Sequence, residues 1–178
     1  GYSSAASDVY KRQRLANRVG ADEASRNVFV RAERRVVVPG MEEGSSLFYA
    51  LTAKARSAGK AYADAAREFS VHLKDLLFFD QNKKGKGYEI VELWINSDVR
   101  SSATFAQVAS YGRAMTEAAE KLVHVCQELV GYLEELEGAA EIQREIASTA
   151  MELKDQMNAA DIILDRAPET YAYAATCL

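Results

Sequence analysis

Two carboxylate–imidazole pairs, Glu68-x-x-x-His72 and Glu120-x-x-x-His124, and one cysteine beside the second pair, Cys126, are the residues best placed to do chemistry. A step of four sets each Glu and His one helical turn apart on the same face. Di-iron bundles use Glu-x-x-His together with further inward glutamates, one residue shorter than either pair here. The spacing therefore fits ordinary i,i+4 hydrogen-bonded pairs on a helix surface. Cys126 has no base beside it in sequence and fits a small buried hydrophobe. Lys84-Gly85-Lys86-Gly87 offers glycines and cations but lacks the Gly-Lys-Ser/Thr and the strand-then-helix setting of a phosphate loop. No catalytic residue, metal ligand, cofactor or small-molecule substrate is expected.

The elements that hold these residues are helical. The chain has 178 residues with only 2 Pro, 2 Cys and 2 His, enough length for one domain with a core and too few Cys or His for a disulfide framework or a zinc cluster. No apolar run approaches the roughly 18 residues of a membrane span. Formal net charge is −4, which argues against a nucleic-acid partner, but it averages two unlike halves. Residues 1–90 hold 16 Lys/Arg against 11 Asp/Glu, and residues 91–178 hold 6 against 15. Surfaces of opposite sign are expected to have different jobs.

The chain opens at Gly1, and Ser3 to Gln13 resembles translated adapter readthrough at the end of a gene sequence, so residues 1–13 are expected to be a non-native or disordered leader and the chain a fragment. Arg14 to Arg35 is basic and helical with a weak point at Gly20, and Pro39-Gly40 interrupts it. A helix is expected over 45–79, capped by Ser45 or Ser46, with its seam on Leu47, Leu51, Ala55, Ala58, Tyr62, Ala65, Phe69, Leu73 and Leu76 at steps of 3 and 4. Asp80 to Gly87 is a glycine-punctuated loop, Ile90 to Ile95 a helix end or surface turn, and Asn96 to Ser102 a polar turn. From Ala103 to Arg166 a heptad seam runs through Val108, Tyr111, Met115, Ala118, Leu122, Val125, Leu129, Tyr132 and Leu136 without proline. A single helix of about 60 residues would be about 90 Å long. The expected fold is therefore all-α, an elongated antiparallel long-helix bundle or coiled coil. Its core and dimer seam would include Leu51, Tyr62, Phe69, Leu73, Met115, Leu122, Leu129 and Leu136.

Three segments in order resemble the BAR domain of endophilins and amphiphysins. They are Gln13 to Arg26 with Phe29, Glu33, Arg34 and Arg35 following; Lys84-Gly85-Lys86-Gly87-Tyr88; and Phe105 to Met115 with its Gly-x-Ala-Met core. The resemblance spans roughly residues 13–165. It implies a first helix over about 21–80 broken near 39–40, a loop over 80–102, a second helix over 103–166 and a tail over 167–178. It further implies a crescent-shaped homodimer, cytoplasmic and peripheral to membranes, that binds anionic phospholipid and senses or induces curvature in trafficking or endocytosis. The membrane contacts would be Arg14, Arg18, Arg31, Arg34, Arg35, Lys83, Lys84 and Lys86. The family's third long helix is absent, Pro39-Gly40 interrupts the first, and the second carries acids where the family is basic. The alternative from another class is a coiled-coil or spectrin-like protein–protein scaffold with no lipid binding, which the heptad supports equally well. A ferritin-like metal enzyme is a third option, and the seam supplies none of the inward ligands it needs.

Overall fold

The computed structural model describes residues 2–23, 25–36, 43–84, 91–95, 102–165 and 173–177. Its body is all-α. The helices are α1 (Tyr2–Gly20), α2 (Val28–Arg35), α3 (Glu43–Lys84), α4 (Ala103–Leu133) and α5 (Ala140–Asp165). A two-stranded antiparallel ribbon pairs β1 (Val91–Ile95) with β2 (Tyr173–Cys177) and lies along α1 and α3.

The helices make four antiparallel columns. Contacts near both ends fix the direction of α3 against α4: Phe48 stacks on Tyr132, and Phe69 reaches Gly112. The side chain of Gln143 donates to the Val130 carbonyl at the end of α4, while Leu164 at the far end of α5 meets Gly112. α1 runs back along α3, with Gly20 against Ala63 and Arg12 over Phe69. The fourth column is therefore a broken helix. α1 covers one half of the α3–α5 side, and α2 covers the other by packing on both α3 and α5.

One apolar core runs through all four columns. It includes Leu15, Val19, Phe29, Phe48, Tyr62, Phe69, Met115, Leu122, Leu129, Ile146 and Leu153. Each full burial of a side chain of this size contributes about 1.5–3 kcal/mol. The helix stops have local causes. Ser102 accepts from the Phe105 N–H at the start of α4. Asn27 caps α2 by accepting from the Phe29 and Val30 N–H groups, which frees those donors from an unsatisfied first turn.

The observed architecture departs from the long-helix expectation. The segment 103–166 is not one helix, because a turn over residues 134–139 folds α5 back onto α4. Gly138 sits at φ 78°, a backbone region where a Cβ is strained. α5 thus supplies the further long helix that the sequence seemed to lack, and the bundle closes within one chain. Leu136, expected on the seam, lies half-buried in that turn.

Smaller differences follow. α1 takes in most of the stretch expected to lie outside the fold, and Arg12 is buried. α3 begins at Glu43, ahead of the expected serine cap, and continues to Lys84 through part of the expected loop. Val91 to Ile95 is a strand rather than a helix end. Its register brings Val91, Leu93 and Ile95 opposite Cys177, Ala175 and Tyr173 in the expected tail. Gly85 to Ile90, the break at Pro39-Gly40 and the turn over 96–101 fall outside the described residues.

Candidate functional site

Where charged side chains of the basic half meet those of the acidic half decides what the surface can do. On α5, Glu141, Glu145, Thr149 and Glu152 recur at steps of 4, 4 and 3, which aligns them on one side of the helix. That side faces the broken column. Arg18 Nη1 donates to Glu152 Oε2 at 2.7 Å, and Nη2 donates to Thr149 Oγ1 at 3.1 Å. Thr149 in turn donates to the Glu145 carbonyl at 2.8 Å. Arg31 pairs with Glu145 through Nη2, and its Nη1 donates to the Ser25 carbonyl at 3.0 Å. Arg35 lies 3.7 Å from Glu141.

The same pattern continues on α3. Arg56 pairs with Glu33 of α2 at 3.2 Å, and Lys54 with Glu128 of α4 at 3.4 Å. These bridges are partly or largely exposed, so each is worth about 0.2–1 kcal/mol and salt screens it. The three on α5 form a ladder that joins α1 and α2 to it.

The expected membrane contacts are therefore divided. Arg18, Arg31 and Arg35 are held in ion pairs within the bundle. Arg34 is exposed. Arg14 is exposed with its guanidinium carbon 5.7 Å from the Tyr10 ring centre. Lys83 and Lys84 end α3, but their side chains lie outside the described residues, as does Lys86 altogether. Of the expected seam, Leu51, Tyr62, Phe69, Leu73, Met115, Leu122 and Leu129 are buried.

The chemical candidates sit apart from one another. His72 Nδ1 lies 2.8 Å from the Glu68 carbonyl oxygen and 3.9 Å from its carboxylate, and the ring stacks on Tyr111 with centroids 3.8 Å apart. Glu120 and His124 are exposed on the outside of α4. Cys126 is buried, and loss of solvent pushes its thiol up to about 12, so the nucleophilic thiolate is not populated near neutral pH. Burial likewise pushes the Tyr62 hydroxyl up to about 12, against the opposing charge of Arg12. That hydroxyl has no hydrogen-bond partner among the described residues.

Among the described residues no group of three His, Cys, Asp or Glu gathers as a metal set, and no helix is long and apolar enough to cross a membrane. One open cleft of about 340 Å³ lies between α1 and α3, edged by Asn17, Arg67, Ser70 and Lys74. Another of about 480 Å³ lies at the α1–α2 turn, edged by Asp22, Arg56, Lys60 and Asp64.

Sequence reasoning missed the acceptors of this ladder. Glu141, Glu145 and Glu152 were visible only as an acidic helix face, and Asn27 not at all. The visible trace was the division of charge between the two halves of the chain. No family model, curated protein or solved structure matches the chain.

Proposed function

We propose that this chain is a helical scaffold, a self-contained bundle that acts through protein–protein contact without catalysis. The observation that supports this reading is the internal use of the basic half. Three of the five arginines expected to meet lipid are already paired with α5 glutamates. A cation held by a carboxylate contributes little to an anionic surface, where each free Lys or Arg adds about 1 kcal/mol. Glu117 and Glu120 of α4 and Glu134 and Glu135 of the turn that follows are exposed and repel anionic lipid.

Peripheral membrane binding of the BAR kind is the competing proposal, and the exposed Arg14 and Arg34 favour it. Sedimentation with phosphatidylserine vesicles at low salt separates the two. The scaffold reading expects the protein to stay in the supernatant, with no loss of helical signal on adding vesicles. Pelleting that disappears as salt is raised would overturn it in favour of membrane binding.

A further inference from the structure

We propose that the cleft between α1 and α3 binds a small soluble organic phosphate, with Arg67 and Lys74 on the anionic group and the apolar body of the ligand on a floor of alanines. The space follows from side-chain size. α1 and α3 run antiparallel, and Ala16, Ala63 and Ala66 are too short to fill the gap between them, so an open cleft of about 340 Å³ remains. That volume lies within the range of small-molecule sites. Val71 edges the cleft and stays 48% exposed, so an apolar ligand body gains by covering it.

The charge of the cleft has one sign. Arg12, Arg67 and Lys74 line it, and no acid does among the described residues. Elsewhere the cations are matched across elements, as Arg18 is with Glu152 and Arg31 with Glu145. Arg67 instead meets Asp64 of its own helix at 3.6 Å with both side chains largely exposed, a weak pair that an incoming phosphate can replace. Lys74 is exposed and joins no ion pair among the described residues. Arg12 is 5% exposed with its guanidinium carbon 5.0 Å from the Phe69 ring centre, so little water screens its charge. Arg67 and Lys74 stand about 10 Å apart along the helix, with Ser70 between them and Gln13 and Asn17 on the facing wall. Guanidinium, ammonium, hydroxyl and amide donors together suit phosphate oxygens. A phosphate monoester carries nearly two charges at neutral pH, which favours it over a single carboxylate among several cations.

Amide chemical shifts of the full chain, followed as phenyl phosphate is added at constant ionic strength, test the site independently of the scaffold reading. Saturable shifts are expected in residues 12–17 and 63–74, half-complete at about 1 mM. Inorganic phosphate, which lacks the apolar body, should bind there at least about threefold more weakly. Arg67→Gln with Lys74→Gln changes two exposed side chains and should weaken phenyl phosphate about tenfold. Lys60→Gln with Lys121→Gln removes the same charge outside the cleft and should leave half-saturation within about twofold. Shifts that never saturate, shifts that spread over other basic surfaces, equal weakening in both double variants, or inorganic phosphate binding as tightly would overturn the proposal. Phosphatidic acid vesicles separate the two sources of phosphate, and the protein is expected not to pellet with them in the same buffer. Pelleting that the Arg67 and Lys74 changes abolish would assign the cleft to a lipid headgroup and overturn the soluble ligand.

Discussion

Gly59→Ala is expected to destabilise the bundle by about 2–3 kcal/mol, because one methyl group would force two backbones apart. A Cβ built at residue 59 lies 2.1 Å from the Val19 carbonyl oxygen and 3.0 Å from its carbon. The obstacle is main chain, which no rotamer change can move. Gly20 marks the same crossing from the other side, where a Cβ would fall 2.4 Å from that of Ala63. α1 would have to lift away from α3 along its whole C-terminal half, loosening Leu15 and Val19. Alanine would otherwise be the better helix former by about 1 kcal/mol, so the loss measured is net of that gain. Gly131→Ala is the internal comparison, since nothing lies within 4 Å of a Cβ there. In urea melts the two substitutions should move the midpoint in opposite directions, with unchanged slope. A Gly59→Ala protein as stable as the parent would show that α1 does not cross α3 this closely.

Asn27→Ala is expected to lose about 2–4 kcal/mol, from a cap worth about 1 kcal/mol together with buried partners left without a bond. The side chain is almost wholly buried and makes four contacts, two as acceptor and two as donor. Its oxygen holds the first turn of α2 at 2.9 Å from the Phe29 nitrogen. Its nitrogen donates to the Ala21 carbonyl at 2.9 Å and the Val19 carbonyl at 3.2 Å. Asn27→Ser separates the two roles. Serine can cap α2 but cannot span to α1, so it should recover only about 1 kcal/mol of the loss in the same melts. Full recovery by serine would mean that the bonds to α1 add nothing.

Individual helices were legible where their periodicity had a local cause. The seam through Leu51, Tyr62, Phe69 and Leu73 marked α3, and Ser102 marks the start of α4. The turn over 134–139 was not legible, because the spacing of Leu129, Tyr132, Leu136 and Ala139 carries the heptad phase straight through it. Glu134 and Glu135 are good helix formers, yet α4 ends at Leu133, and the left-handed backbone of the turn falls on Gly138. That one turn separates a 90 Å rod from a closed bundle. The ribbon was hidden for a different reason. Val91 to Ile95 is short and mostly apolar and finds its partner about eighty residues further on, and pairing at that distance leaves no mark in a local window.

The ladder was hidden in the same way. Which arginine faces which glutamate depends on the order of the columns, so the sequence could show only that the halves carry opposite charge. With the order in hand, the opposition acquires a structural use: the basic helices α1 and α2 lie along the acidic side of α5.

A double-mutant cycle on Arg31 and Glu145 tests that use most directly. Arg31→Glu and Glu145→Arg each place like charges together across the α2–α5 contact, and the double swap restores opposite charges. Each single change is expected to cost about 1–2 kcal/mol in urea melts at low salt, and the double swap to recover most of it. The coupling should shrink as salt is raised. If the single changes are neutral and the swap is merely additive, the charged halves do not hold each other, and the arginines of α2 are free for another partner.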